Sequence, residues 1–116
     1  MAGSDTSWFV RDIPEGRSLT LPGIYEWRIE GVGSYVGKSK GLTRRLREYP
    51  NNVRKLLSGL PYRRGKPDRF RRIHHELRAA MESGRRVTVT IIENCSVDEI
   101  NERERYWIVQ RGDLND

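Results

Sequence analysis

A single cysteine, Cys95, in 116 residues excludes an internal disulfide and any cysteine-cluster zinc site, and leaves an ordinary thiol at a strand end. The chain also lacks any apolar run approaching the roughly 20 residues that cross a bilayer. Its opening residues, MAGSDTSWF, have neither the charged nor the hydrophobic region of a secretory signal, so a cytoplasmic protein with no membrane partner is expected. Hydrophobic residues make up only 35% of the chain against 33% charged, which is sparse but enough for one core. No internal repeat or low-complexity tract is present. The expected organisation is a flexible tail over residues 1–7 and a single domain over 8–116.

Acidic residues are nearly missing from one stretch. From Lys38 to Arg72 there are 13 Lys and Arg against two acids, Glu48 and Asp68, whereas the rest of the chain has 9 basic and 14 acidic residues. Positive charge concentrated in this way suits phosphate neutralisation and points to a polyanionic partner; a solvated charged face is the plainer reading.

Trp8-Phe9-Val10 reads as either a short edge strand or an apolar plug on the core. After the turn at Pro22-Gly23, Ile24 to Glu30 alternates and predicts a strand with Tyr25, Trp27 and Ile29 on one face. Gly31-Val32-Gly33 reverses the chain into a second strand over 34–38, bringing Tyr25 and Tyr35 near each other across an antiparallel hairpin. A helix from about Leu42 to Tyr49, stopped by Pro50, sets Leu42, Arg45, Leu46 and Tyr49 on the face towards the sheet, with Arg44 and Arg47 pointing elsewhere. Val53 to Leu60 reads as a short helical turn, PYRRGKP at 61–67 as an exposed basic loop, and about 68–83 as a helix capped by Gly84. RVTVTIIE at 86–93, rich in β-branched residues, predicts a central strand. The fold class expected is α+β, a small three-stranded antiparallel sheet flanked by helices.

The last helix is expected to begin at a capping box, Ser96 to Glu99, and to run to about Gln110. Its projection puts Val97, Ile100, Trp107 and Ile108 in a buried stripe with Glu104 in the middle, while Glu102 and Arg103 project away. A carboxylate in an apolar seam needs a partner, either a cation such as a buried arginine or a metal ion.

Gly23-Ile24-Tyr25 and Tyr35-Val36-Gly37, ten positions apart from tyrosine to tyrosine, resemble the signature of the GIY-YIG nuclease superfamily. YVGKSKGLTRRLREY is similar to the UvrC-type excision-repair nuclease domain, matching its pattern at Tyr35, Gly37, Lys38, Arg45 and Tyr49. ERERYWI resembles the helix that carries the metal-binding glutamate of phage-type homing endonucleases, with Glu104 in register. The resemblance spans about residues 22–115, so the catalytic domain would stand alone, without room for a separate recognition domain.

That resemblance implies a DNA endonuclease leaving 3′-hydroxyl and 5′-phosphate ends, with catalytic residues Tyr25, Tyr35, Lys38, Arg45, Tyr49 and Glu104. Glu104 would hold one Mg²⁺ or Mn²⁺ together with solvent, and Arg45 would hold the scissile phosphate. Tyr25 or Tyr35 would deprotonate or orient the attacking water, its phenolate favoured by Lys38, Arg45 and the metal. The partner is DNA, double-stranded or branched, with no small-molecule cofactor. Lys40, Arg44, Arg47, Arg63, Arg64, Lys66 and Arg69 are expected to contact its phosphates. Two assignments are looser. Asn115 lies eleven residues beyond Glu104, slightly short of the family spacing and, as the penultimate residue, open to fraying. His74, like His75, is either a site residue or an ordinary helix-surface or semi-buried histidine. The alternatives to an active nuclease are a catalytically silent basic nucleic-acid binding module and a partner-dependent nuclease subunit. Nothing in the sequence fixes an oligomeric state.

Overall fold

In chain order the elements are β1 (Val10–Asp12), β2 (Gly23–Ile29), β3 (Gly33–Ser39), α1 (Leu42–Ser58), α2 (Arg72–Ser83), β4 (Val87–Asn94) and α3 (Ile100–Arg111). They come from a computed structural model that describes residues 7–115, so most of the expected N-terminal tail lies outside the described residues. The alternation in β2 works as the sequence suggests. Tyr25, Trp27 and Ile29 are buried on one face, and Ile24 and Glu26 on the other. A strand covered on both faces belongs in the middle of a sheet, and β2 pairs antiparallel with β3 on one side and β4 on the other.

The α+β class holds, but the sheet is four-stranded and mixed, not three-stranded and antiparallel. The extra strand, β1, runs parallel to β4 on its outer side and gives the order β1-β4-β2-β3. All three β1 residues are exposed, so it carries no apolar alternation to read. The two residues just before it form a plug. Trp8 stacks on Trp27 with ring centroids 6.2 Å apart, and Phe9 meets the same ring edge-on at 5.1 Å. The strand reading and the plug reading thus apply to successive residues.

Pro50 does not stop the first helix, which continues to Ser58 and absorbs the short turn expected beyond it. A proline inside a helix loses one backbone hydrogen bond and costs about 3 kcal/mol. Here the buried stripe of Leu46, Tyr49, Pro50 and Val53 runs through the proline without a break. Burial worth roughly 1.5–3 kcal/mol for each large side chain outweighs the lost bond. The second helix begins at Arg72, four residues later than expected, because Arg71 is extended (φ −88°, ψ 165°).

Helices α1 and α2 cover the sheet face that carries Tyr25 and Trp27, while α3 covers the opposite face over Ile24 and Val36. The seam under α3 is more polar than its helical projection suggests. Only Ile100 is fully buried in α3, and Val97 is exposed in the turn before it. Ionic contacts pin the helix instead. Arg103 binds Glu93 of β4 and Arg111 binds Glu26 of β2, each at about 3 Å, and Trp107 Nε1 donates to Glu93 at 2.8 Å. Arg103 therefore faces the sheet, contrary to its projected position.

Residues 113–115 close the outer edge of β3. Leu114 N–H donates to Ser34 C=O at 2.9 Å, and Asp113 Oδ1 accepts from Ser34 N–H at 2.7 Å. Asn115 accepts from Val36 N–H and donates to Val36 C=O, both at 2.8 Å, so it is anchored and not frayed. These bonds occupy backbone groups that an edge strand would otherwise leave open. No helix among the described residues is long and apolar enough to cross a membrane.

Candidate active site

The register of the hairpin explains the glycine of the second motif. Gly37 lies directly opposite Tyr25, and a Cβ at position 37 would collide with the ring and hydroxyl of that tyrosine. The missing side chain makes the hollow in which the Tyr25 ring lies. Tyr49, one helical turn beyond Arg45 on the buried face of α1, meets the ring of Tyr25 at 5.7 Å and that of Tyr35 at 6.4 Å. The Tyr25 and Tyr49 hydroxyls share a hydrogen bond, and Arg45 Nε donates to the Tyr25 hydroxyl at 3.3 Å. Glu48 orients Arg45 through a 2.7 Å ion pair. On the far side of the cluster, Arg71 Nη1 donates to the Tyr35 hydroxyl at 2.9 Å.

Burial decides the protonation of these phenols. It raises the pKa of Tyr25 more than the Arg45 charge and the hydrogen bonds from Tyr49 and Arg45 lower it. Tyr35 is pushed up to about 12, chiefly by burial, and Tyr49 is raised for the same reason. All three therefore keep their protons at neutral pH. Of the cations expected to favour phenolate, Arg45 does not outweigh this desolvation, and Lys38 has its contacts with α3 on the other face. As neutral groups the phenols can donate and accept hydrogen bonds, which suits the half-buried Tyr35 to orient a water molecule and the buried Tyr25 and Tyr49 to hold the cluster together.

His74 is a core residue, 1% exposed, with its pKa lowered to about 3 by burial and then by the charges of Arg71, Arg45 and His75. Its Nδ1 accepts the Arg71 backbone N–H at 3.1 Å, and its Nε2 meets the Asn52 side-chain amide at 3.3 Å. It therefore holds the start of α2 in place, whereas His75 is exposed.

Glu104 and Lys38 form a second group. Lys38 Nζ lies 3.5 Å from Glu104 Oε1 and also hydrogen-bonds Asn101 Oδ1, one turn earlier on α3. The Glu104 side chain is 22% exposed, so the carboxylate sits at the rim of the seam as half of an ion pair. Two hard oxygen donors converge on a single cationic nitrogen, a donor set that suits Mg²⁺ or Mn²⁺ completed by water. Among the described residues no three His, Cys, Asp or Glu side chains cluster as a metal cage. Glu104 with solvent, and Asn101 beside it, are the residues that could hold such an ion, in competition with Lys38.

The structure thus brings Tyr25, Tyr35, Arg45 and Tyr49 together on one side of edge strand β3, and Lys38 and Glu104 together on the other. Lys40, Arg44 and Arg47 are exposed on and before α1, with Arg44 paired to Glu48 at 3.0 Å. Arg63, Arg64, Lys66 and Arg69 are exposed in the α1–α2 loop, where Arg63 and Lys66 close a tight turn. Sequence reading missed Arg71, Glu48, Asn52 and Asn101. Arg71 was visible only as one of many cations, because nothing local signals that a loop arginine will reach across to a strand tyrosine. Compared with family profiles, curated proteins and solved structures, the chain matches none, so its function rests on its own residues.

Proposed function

We propose that this chain is a metal-dependent endonuclease of the GIY-YIG type that hydrolyses DNA phosphodiester bonds. The observation that carries this reading is the phenol network of Tyr25, Tyr35 and Tyr49, flanked by Arg45 and backed across the same edge strand by the Glu104 carboxylate. Hydrolysis needs a positioned water, neutralisation of the charge that grows on the phosphoryl oxygens, and protonation of the leaving 3′ oxygen. Tyr35, which is half-buried, suits the first task as a neutral hydroxyl that orients the water, while the fully buried Tyr25 holds Arg45 and Tyr49 in place behind it. Arg45, always charged and already turned towards the phenols by Glu48, suits the second. Lys38 is an ammonium donor for an oxygen on the α3 side. A divalent ion held by Glu104 and water would add charge neutralisation at the departing oxygen. The exposed cations of α1 and of the α1–α2 loop are a rim for the flanking phosphates.

Nicking of supercoiled plasmid in Mg²⁺ or Mn²⁺ tests the proposal. Tyr25→Phe, Arg45→Ala and Glu104→Ala are each expected to lower the rate by about 10²–10³-fold, the usual effect of removing a group that stabilises the transition state. Unchanged cleavage by the Glu104 variant would overturn the metal assignment. A second reading, a basic nucleic-acid binding module without turnover, is favoured by one observation: Glu104 is already neutralised by Lys38. Salt-sensitive DNA binding without metal-dependent cleavage would select it.

A further inference from the structure

We propose that Arg71 is a second phosphate-binding arginine of this site, gripping the backbone phosphate adjacent to the one held by Arg45. The inference rests on the nuclease reading in one respect, that DNA lies across the phenol face. Arg71 is the last residue of the exposed loop before α2, yet both its backbone N–H and its C=O are tied down. Its N–H donates to His74 Nδ1, and its C=O accepts from the His74 and His75 N–H groups. The buried, neutral His74 ring thereby acts as a positioning residue.

The side chain reaches from this anchor to β3. Nη1 donates to the Tyr35 hydroxyl at 2.9 Å, and the guanidinium carbon lies 5.8 Å from the centre of the Tyr35 ring. Arg45 is placed in the same way over Tyr49, at 5.7 Å, and the Tyr35 and Tyr49 rings are neighbours. Two guanidinium groups therefore flank the phenols one ring apart. They differ in compensation. Arg45, Arg103 and Arg111 each pair with a glutamate, whereas no carboxylate pairs with Arg71 among the described residues. A guanidinium held in place but left without an anion, with most of its planar fork of donors unused, is suited to an incoming phosphate oxygen. A grip on two successive phosphates calls for an internal position in a polynucleotide strand and disfavours a mononucleotide diester or a terminal phosphate.

The test is equilibrium binding of a fluorescent duplex in EDTA over a range of salt concentrations, which needs no turnover. Arg71→Ala should make the slope of log K against log salt shallower by about 0.9, the value for one lost phosphate contact on B-form DNA. Arg71→Lys should keep the slope and bind more weakly, since charge is retained and the fork is lost. Tyr35→Phe should keep the wild-type slope, and Arg85→Ala, at the far end of the hairpin beside Glu30, should do the same. A wild-type slope in a folded Arg71→Ala protein, or matching losses in Arg71→Ala and Tyr35→Phe, would reduce Arg71 to a brace for Tyr35. Wild-type protein that neither binds nor cuts DNA would remove the nuclease reading and this inference with it. Wild-type cleavage with an unaffected Arg71 variant removes the inference alone.

Discussion

Acidification should destabilise this protein through one imidazole. His74 is 1% exposed and its pKa is lowered from an ordinary 6.5 to about 3, first by burial and then by Arg71, Arg45 and His75. Because the folded-state value is the lower one, the unfolded chain binds the extra proton as pH falls through 6.5. Stability conferred by the neutral ring is therefore present above that pH and is lost on the way down to about 3. Between pH 7 and pH 4 the shift corresponds to about 3 kcal/mol, a large share of the roughly 5–15 kcal/mol of a typical domain. Carboxylates add a loss of the same sign. Glu93, for example, is held below the usual carboxylate range because the hydrogen bonds from Arg103 and Trp107 outweigh its burial. The comparison that isolates the imidazole is His74→Asn, whose side-chain oxygen can still accept the Arg71 N–H but does not titrate. Urea unfolding followed by tryptophan fluorescence at pH 7 and pH 4 measures both proteins. Wild type should lose about 3 kcal/mol more than the variant over that range. Parallel losses would mean that the ring is hydrated or charged in the folded protein, and the assignment of His74 as a neutral anchor for Arg71 would be wrong.

Two further outcomes test the architecture around the site. Gly37→Ala forces a Cβ into the ring of Tyr25, which is fully buried and has nowhere to move; a loss of about 1–3 kcal/mol is expected in thermal unfolding, with nicking activity falling further than stability. Asn115→Ala leaves the Val36 N–H and C=O open on the outer edge of β3. It should cost about 1–3 kcal/mol and speed hydrogen exchange at the Val36 amide, and unchanged exchange there would show that the C-terminal segment does not close the edge.

Much of the sheet was legible because its signal is local. Alternation alone put Tyr25, Trp27 and Ile29 on one face, and helical spacing put Arg45 and Tyr49 towards the same core. Local rules failed where distant burial overrides them. Pro50 should end a helix, but the buried stripe continues on both sides of it. Glu104 and Arg103 were projected against an imagined apolar seam, whereas β2, β3 and β4 supply Glu26, Lys38 and Glu93 as ionic partners for α3. No window of α3 contains that information. Lys38 and Arg45 do not favour phenolate as the sequence suggests, for a related reason. Sequence shows how many cations stand near a tyrosine in the chain, and only burial shows whether their attraction exceeds the loss of water.

The sequence by itself determined which residue types are available: paired tyrosine triplets on a hairpin, an arginine and a tyrosine one turn apart, a glutamate on the last helix, and a stretch of 13 cations with two acids. These follow from periods of two and 3.6 residues, which any short window contains. Tertiary structure decided how they are divided and held. It set the phenols and Arg45 on one face of β3 and Lys38 with Glu104 on the other, and brought Arg71 to Tyr35 across 36 residues. It also kept the phenols protonated and His74 neutral. The reason is physical: charge pairing and desolvation depend on distances through space, between strands and helices that the chain brings together only on folding.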